Sequence, residues 1–67
     1  MRSNKAYTVA YRMAMHQPER HIDVLASSKE DAWAKAFHEA IPEKEGETPY
    51  VAWLHSVTYQ NGNCRYF

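Results

Sequence analysis

Four histidines and one cysteine are the first candidates for a metal site or a nucleophile: His16, His21, His38, His55 and Cys64. Metal ligands come as sets at characteristic spacing. His16 and His21 flank a turn, His38 and His55 are remote from them, and the one cysteine joins no pair. The reading is therefore four ordinary surface or edge histidines and no metal site. A thiolate nucleophile needs a base within hydrogen-bond reach, a group that orients the base, and an enclosing pocket. A chain this short has little room for such a pocket. Cys64 is expected to pack as a small hydrophobe under a sheet. The only glycines, Gly46 and Gly62, both fall in turns, so no glycine-rich loop is present to cradle a phosphate. No catalytic residue, metal or cofactor is expected, and the chain reads as a binding protein rather than an enzyme.

The binding chemistry must then lie on a surface. Arg12, His21, Leu25, Tyr50, Leu54 and Arg65 are the candidate interaction residues. They share one face if the segments that carry them are strands of one sheet. Thr8, Ala10, Ala52, Ser56 and Phe67 fall among them, and Ala10, Leu25, Ala52 and Leu54 would leave an apolar patch. Basic and aromatic side chains on an open sheet also suit stacking on bases, as RNA-binding sheets do. Lysine plus arginine equals aspartate plus glutamate, eight against eight, and no basic cluster appears. Protein contact is accordingly favoured over nucleic acid. The partner is another protein or a second copy of the chain, which makes a homo-oligomer the expected state.

The element that must support this face is a helix over Ser27–Ile41. Ser28, or Ser27 one residue earlier, supplies an N-cap oxygen. Glu30 and Asp31 place negative charge at the positive end of the helix dipole. Ala32, Ala36 and Ala40 form one stripe at spacing four, with Trp33, Phe37 and Ile41 beside it. Both stripes are read as core against a sheet, and Pro42 is read as the helix stop. Residues 43–48 follow as a charged loop.

Four strands frame the helix. In residues 6–15, Tyr7, Val9, Tyr11, Met13 and Met15 alternate with Ala6, Thr8, Ala10, Arg12 and Ala14. In residues 20–26, Ile22, Val24 and Ala26 share a face. With 16–19 as a four-residue loop, Met13 would face Ile22, Tyr11 would face Val24, and Arg12 would pair with Asp23 across the strands. Residues 50–60 read as a third strand with Val51, Trp53, Val57 and Tyr59 inward, although a second helix starting at Pro49 is the competing reading. His55 and Leu54 each sit on the wrong face, which a bulge beside them would resolve. Asn61-Gly62 is a two-residue hairpin signal, pairing Val57 with Tyr66 and leading into a strand over 63–67.

The order β-β-α-β-β predicts an α+β fold with one helix on a mainly antiparallel four-stranded sheet in order 2-1-3-4. Tyr7, Tyr11, Tyr59 and Tyr66 are placed at its margins, with their hydroxyls in water. Sixty-seven residues make one domain (1–67) with a frayed segment at 1–4. A chain of this length buries only about 60% of its unfolded surface, so stability is marginal. One cysteine allows no internal disulfide, no apolar run approaches membrane-spanning length, and no secretion signal opens the chain. Those features point to the cytoplasm. The passage Val24-Leu25-Ala26-Ser27-Ser28-Lys29-Glu30-Asp31-Ala32 resembles one common in small phage and plasmid proteins. That resemblance implies an accessory protein of a phage or mobile element that binds a host factor, inhibitors of host defence included.

Overall fold

The computed structural model describes residues 4–67. Its strands are β1 (Lys5–Arg12), β2 (Arg20–Ala26), β3 (Val51–Thr58) and β4 (Cys64–Tyr66). They form one antiparallel sheet in the order β2-β1-β3-β4, the order expected from the sequence. Of the segment expected to fray, only Asn4 lies within the described residues. Between β2 and β3 runs one continuous helix in three stretches: α1 (Lys29–Lys35), a π-helical turn (Ala36–Ala40) and α2 (Ile41–Glu45). No helix among the described residues is long and apolar enough to cross a membrane.

The helix starts where its capping residues place it. The Asp31 N–H donates to Ser28 Oγ at 3.2 Å, so Ser28 rather than Ser27 is the cap. It does not stop at Pro42. Proline has no N–H to donate, and in an α-helix its ring would strike the carbonyl four residues back. The wide π turn lies immediately ahead of Pro42 and relieves that conflict. There the Ile41 N–H reaches Ala36 O, a five-residue step. The helix ends instead at Gly46, whose φ of 87° is the left-handed closing conformation and whose N–H donates to Pro42 O at 2.8 Å. Residues 43–45 thus belong to the helix and not to a loop.

The wide turn also rewrites which residues face the sheet. In a regular α-helix each residue turns about 100°, which would carry Ile41 about 140° away from Ala36. With five residues in one turn, Ile41 comes back into line above Ala36. The buried stripe is therefore Ala32, Ala36 and Ile41, while Trp33 and Phe37 are only half-buried. Those two were expected in the core. They instead stack on each other at the flank of the helix, with ring centroids 4.7 Å apart.

Against the buried stripe β1 presents Tyr7, Val9 and Tyr11, β2 presents Ala26, and β3 presents Val57. Tyr7 and Tyr11 are core residues, contrary to the marginal placing their hydroxyls suggested. The first hairpin keeps the expected faces but not the expected partners. Tyr11 faces Arg20, Val9 faces Ile22 and Tyr7 faces Val24. The shift is by an even number of residues, so every side chain stays on its own face. The connection lengthens to residues 13–19, and within it Gln17 N donates to Ala14 O at 3.1 Å. The expected Arg12–Asp23 pair does not form. Thr8 Oγ1 donates to Asp23 instead at 2.7 Å, and Arg12 donates to Gln17 O at 3.3 Å.

Residues 51–58 are strand, which removes the second-helix reading. The bulge needed by His55 and Leu54 is present: Thr8 faces Ser56, Val9 faces Leu54, and His55 between them has no partner on β1. Its effect runs back to the start of β3. Leu54 and Ala52 turn toward the helix and pack on its core, while Trp53 and Val51 turn to the opposite side. The sequence had assigned these four residues the other way round.

The second hairpin slips by one residue. Gly62 N donates to Tyr59 O and Tyr59 N to Asn63 O, which makes a three-residue connection closed by Gly62 at φ 91°. Val57 then faces Arg65, Ser56 faces Tyr66 and Thr58 faces Cys64. An odd slip inverts the strand. Arg65 moves to the helix side of the sheet, and Tyr66 and Cys64 move to the other. Cys64 is exposed rather than packed under the sheet.

Candidate functional site

The face of the sheet turned away from the helix is open. Its residues follow from the pairing: Thr8, Ala10 and Arg12 on β1, His21, Asp23 and Leu25 on β2, Val51, Trp53, His55, Ser56 and Thr58 on β3, and Cys64 and Tyr66 on β4. Exposed large apolar side chains collect here: Leu25 is 63% exposed, Val51 38% and Tyr66 71%. Arg12 and Asp23 are the only lysine, arginine, aspartate or glutamate residues that this pairing puts on the face.

A row of rings crosses the middle of this face. The His21 and His55 ring centroids lie 4.6 Å apart, and the Tyr66 ring meets His55 edge-on at 5.5 Å. β2 and β3 are separated by β1, so their backbones are about 10 Å apart. The two imidazoles must therefore lean together over β1, and Ala10 beneath them is fully buried with no helix above it. Glu19 Oε2 holds His21 Nε2 at 2.6 Å, and His55 Nδ1 lies 3.3 Å from Ser56 Oγ. Each contact engages one ring nitrogen of its imidazole. No group of three or more metal-ligating side chains occurs among the described residues.

The other face has a second feature. At the first turn of the helix, Lys5, Lys29 and Arg65 surround a hollow of about 410 Å³ whose floor and wall are Tyr7, Val57, Tyr59, Tyr66 and Phe67. The Lys5 ammonium stands 5.8 Å from the centroid of Tyr59, and the Lys29 ammonium 5.0 Å from that of Phe67. Next to it, Trp33 spans from the helix to β3, with its indole N–H donating to Ala52 O at 3.0 Å. Trp33, Ala52, Trp53 and Leu54 line an open apolar groove there. β4 pairs only with Ser56–Thr58, so the groove runs along the part of the β3 edge that β4 does not cover.

One polar cluster joins the helix to the first hairpin. Glu45 accepts from Tyr11 OH and from Arg20 Nη1, both at 2.6 Å. Burial first, and then the bond to Glu45, push the Tyr11 phenol up to about 12. The same bond, followed by that from Arg20, holds the Glu45 carboxyl below its usual range. Tyr11 is fully buried and has no route to a ligand, so this cluster is structural.

Of the six candidate interaction residues, Arg12, His21 and Leu25 share the open face. Tyr50 is exposed just before β3, with its N–H on Arg12 O. Leu54 packs toward the helix and Arg65 lies at the hollow. The sequence reading missed Trp53, His55 and Tyr66 on the open face and Lys5 and Lys29 at the hollow. The misplaced His55 was a signal for the first group, since a bulge there inverts residues 51–54. Nothing local marks the lysines, which meet only through the fold. A scan of protein-family models, a search of curated proteins and a search of solved structures each find no match to this chain.

Proposed function

We propose that this chain is a non-enzymatic protein-contact module that pairs with a second copy of itself through the open face of the sheet. The observation that carries the reading is the joint exposure of Leu25, Val51 and Tyr66 on a face whose strands bring only Arg12 and Asp23 as formal charges, with Glu19 reaching His21 from the preceding loop. Removing such apolar surface from water favours association. Arg12 and Asp23 suit a two-fold contact, in which each meets its complement on the other copy. The contact is a modest one. Four strands at ordinary spacing and an eight-residue strand give a face of about 19 by 26 Å, roughly 500 Å² in projection. Stable pairs bury about 800 Å² per partner, so a weak, concentration-dependent dimer is expected.

The nucleic-acid alternative keeps only Arg12 and His21 of its expected contacts on this face. The resemblance of residues 24–32 to small phage and plasmid proteins favours a foreign protein as the partner if the chain does not pair with itself.

Sedimentation across a concentration series, at low and high salt, tests the proposal. Wild type should associate, with little dependence on salt. Leu25→Asp with Tyr66→Asp should stay monomeric while keeping its far-ultraviolet circular dichroism. A wild-type monomer at every concentration would refute self-pairing. Binding of a single-stranded oligonucleotide that weakens steeply with salt and is lost with Arg12→Ala would give this face to nucleic acid instead.

A further inference from the structure

The hollow on the helix side of the sheet shares only Tyr66 with the open face, and its chemistry differs. Three cations ring it, and no aspartate or glutamate is among its lining residues. Glu30, the acid next to Lys29 in sequence, lines the neighbouring groove, which Lys29 also borders, and is not among the residues of the hollow. Among the described residues, Lys5, Lys29 and Arg65 enter no ion pair and no side-chain hydrogen bond, whereas Arg20 and Lys35 are both paired. Two of the three ammonium or guanidinium groups rest against aromatic rings instead of carboxylates. Like charges gathered in this way repel one another, and an anion between them relieves that repulsion. A guanidinium can hold a phosphate by two parallel hydrogen bonds, and an ammonium adds a point charge. The hollow's volume of about 410 Å³ falls within the range of small-molecule sites. Phe67 is half exposed at its rim and Tyr59 stands at its wall, so a planar group can stack beside the bound anion.

We propose that this hollow binds a phosphate joined to a planar ring, the chemistry of a nucleotide. Lys5, Lys29 and Arg65 hold the phosphate, and Phe67 and Tyr59 receive the base. Two sources share this chemistry: a free mononucleotide, and one nucleotide of a single strand threading past the hollow.

The test is a titration of the full chain, followed by amide shifts, with adenosine monophosphate, adenosine, inorganic phosphate and an oligothymidylate. Saturable binding of the monophosphate is expected, tighter than either adenosine or inorganic phosphate alone. The largest shifts should fall at Lys5, Lys29, Tyr59 and Arg65. Lys29→Gln and Arg65→Gln, both exposed, should each weaken binding roughly tenfold or more by removing a charge-assisted bond. Phe67→Ala should erase about fivefold or more of the monophosphate's advantage over inorganic phosphate. Leu25→Asp, on the opposite face, should change nothing. Oligothymidylate binding tighter than monophosphate at the same residues assigns the site to a single strand; the reverse assigns it to a free nucleotide. No saturation by either, shifts confined to the open face, or full affinity in the Lys29→Gln Arg65→Gln double variant would overturn the proposal. Equal affinity for inorganic phosphate and monophosphate would overturn the stacking part of it. Because the readout is local to one face, failure here leaves self-pairing through the other face untouched.

Discussion

Replacing Ile41 by alanine should destabilise the protein far more than replacing Phe37, although a count of 3.6 residues per turn ranks the two together. Ile41 is 0% exposed and packs in a cluster with Val9, Tyr11 and Ala36. The substitution removes three buried carbons, about 2.4 kcal/mol at roughly 0.8 kcal/mol each. The void left between helix and sheet adds to this, since neither Ala36 nor the β1 backbone can move in to fill it. The sum should fall near 3–4 kcal/mol, inside the 2–5 kcal/mol range of such truncations. A domain of this length has only about 3–10 kcal/mol in total. Phe37 is half-buried, and its main partner is the stacked Trp33 ring. Losing that stack should cost about 0.5–1.5 kcal/mol. Urea unfolding followed by far-ultraviolet circular dichroism separates the two, because the midpoint reports loss of the backbone structure as a whole. If Phe37→Ala costs more than Ile41→Ala, the helix has no wide turn at residues 36–40 and the assignment of the buried stripe is wrong.

Four further outcomes are expected. Gly62→Val should cost about 1–2 kcal/mol through its positive φ alone, since a Cβ at that position meets nothing within 4 Å. Gly62→Asn should be milder, and amide shifts from Tyr59 to Arg65 report both. Tyr11 is raised from its ordinary value of 10.0 to about 12, so the unfolded chain gives up this proton first. The stability it confers is complete below pH 10 and lost as pH rises toward about 12. Tyr11→Phe should flatten that part of a stability–pH curve. Glu45 is shifted the other way, so its contribution is present above the ordinary carboxylate range and lost on acidification; Glu45→Gln should remove that loss. Leu54→Asp should prevent folding while Leu25→Asp leaves the melting temperature within a few degrees. A folded Leu54→Asp variant would show that the bulge at His55 does not invert residues 51–54.

The sheet order, the helix start and the need for a bulge were legible because each rests on a short-range pattern. Alternation along Tyr7, Val9 and Tyr11 fixes a face, and Ser28 with Asp31 fixes a cap. Register was less legible. In the first hairpin two registers four apart in partner number both set apolar residues opposite apolar ones. The choice between them is made by Glu45, which draws Arg20 alongside Tyr11 from far along the chain. In the second hairpin Asn61-Gly62 suits a two-residue turn and a three-residue one equally, and the difference of one inverts Arg65 and Tyr66. The candidate face inherited each of these ambiguities. Arg12, His21 and Leu25 sit on strands whose faces survive an even shift. Leu54 and Arg65 sit beyond a bulge and an odd slip.

The wide turn in the helix also constrains how this sequence can change its length. Residues 36–40 hold one residue more than a regular α-helix needs to carry the chain from Ala36 to Ile41. Deleting one of the outward-facing residues His38 or Glu39 would restore regular winding and still leave Ile41 above Ala36. It would also return Pro42 to the interior of a regular helix, at a cost of about 3 kcal/mol or more. Replacing Pro42 alone frees an N–H in a helix still one residue too long for regular winding. The extra residue and the proline therefore form a coupled pair. In a set of aligned descendants, a one-residue gap at 38–39 should appear only together with the loss of proline at the position after Ile41.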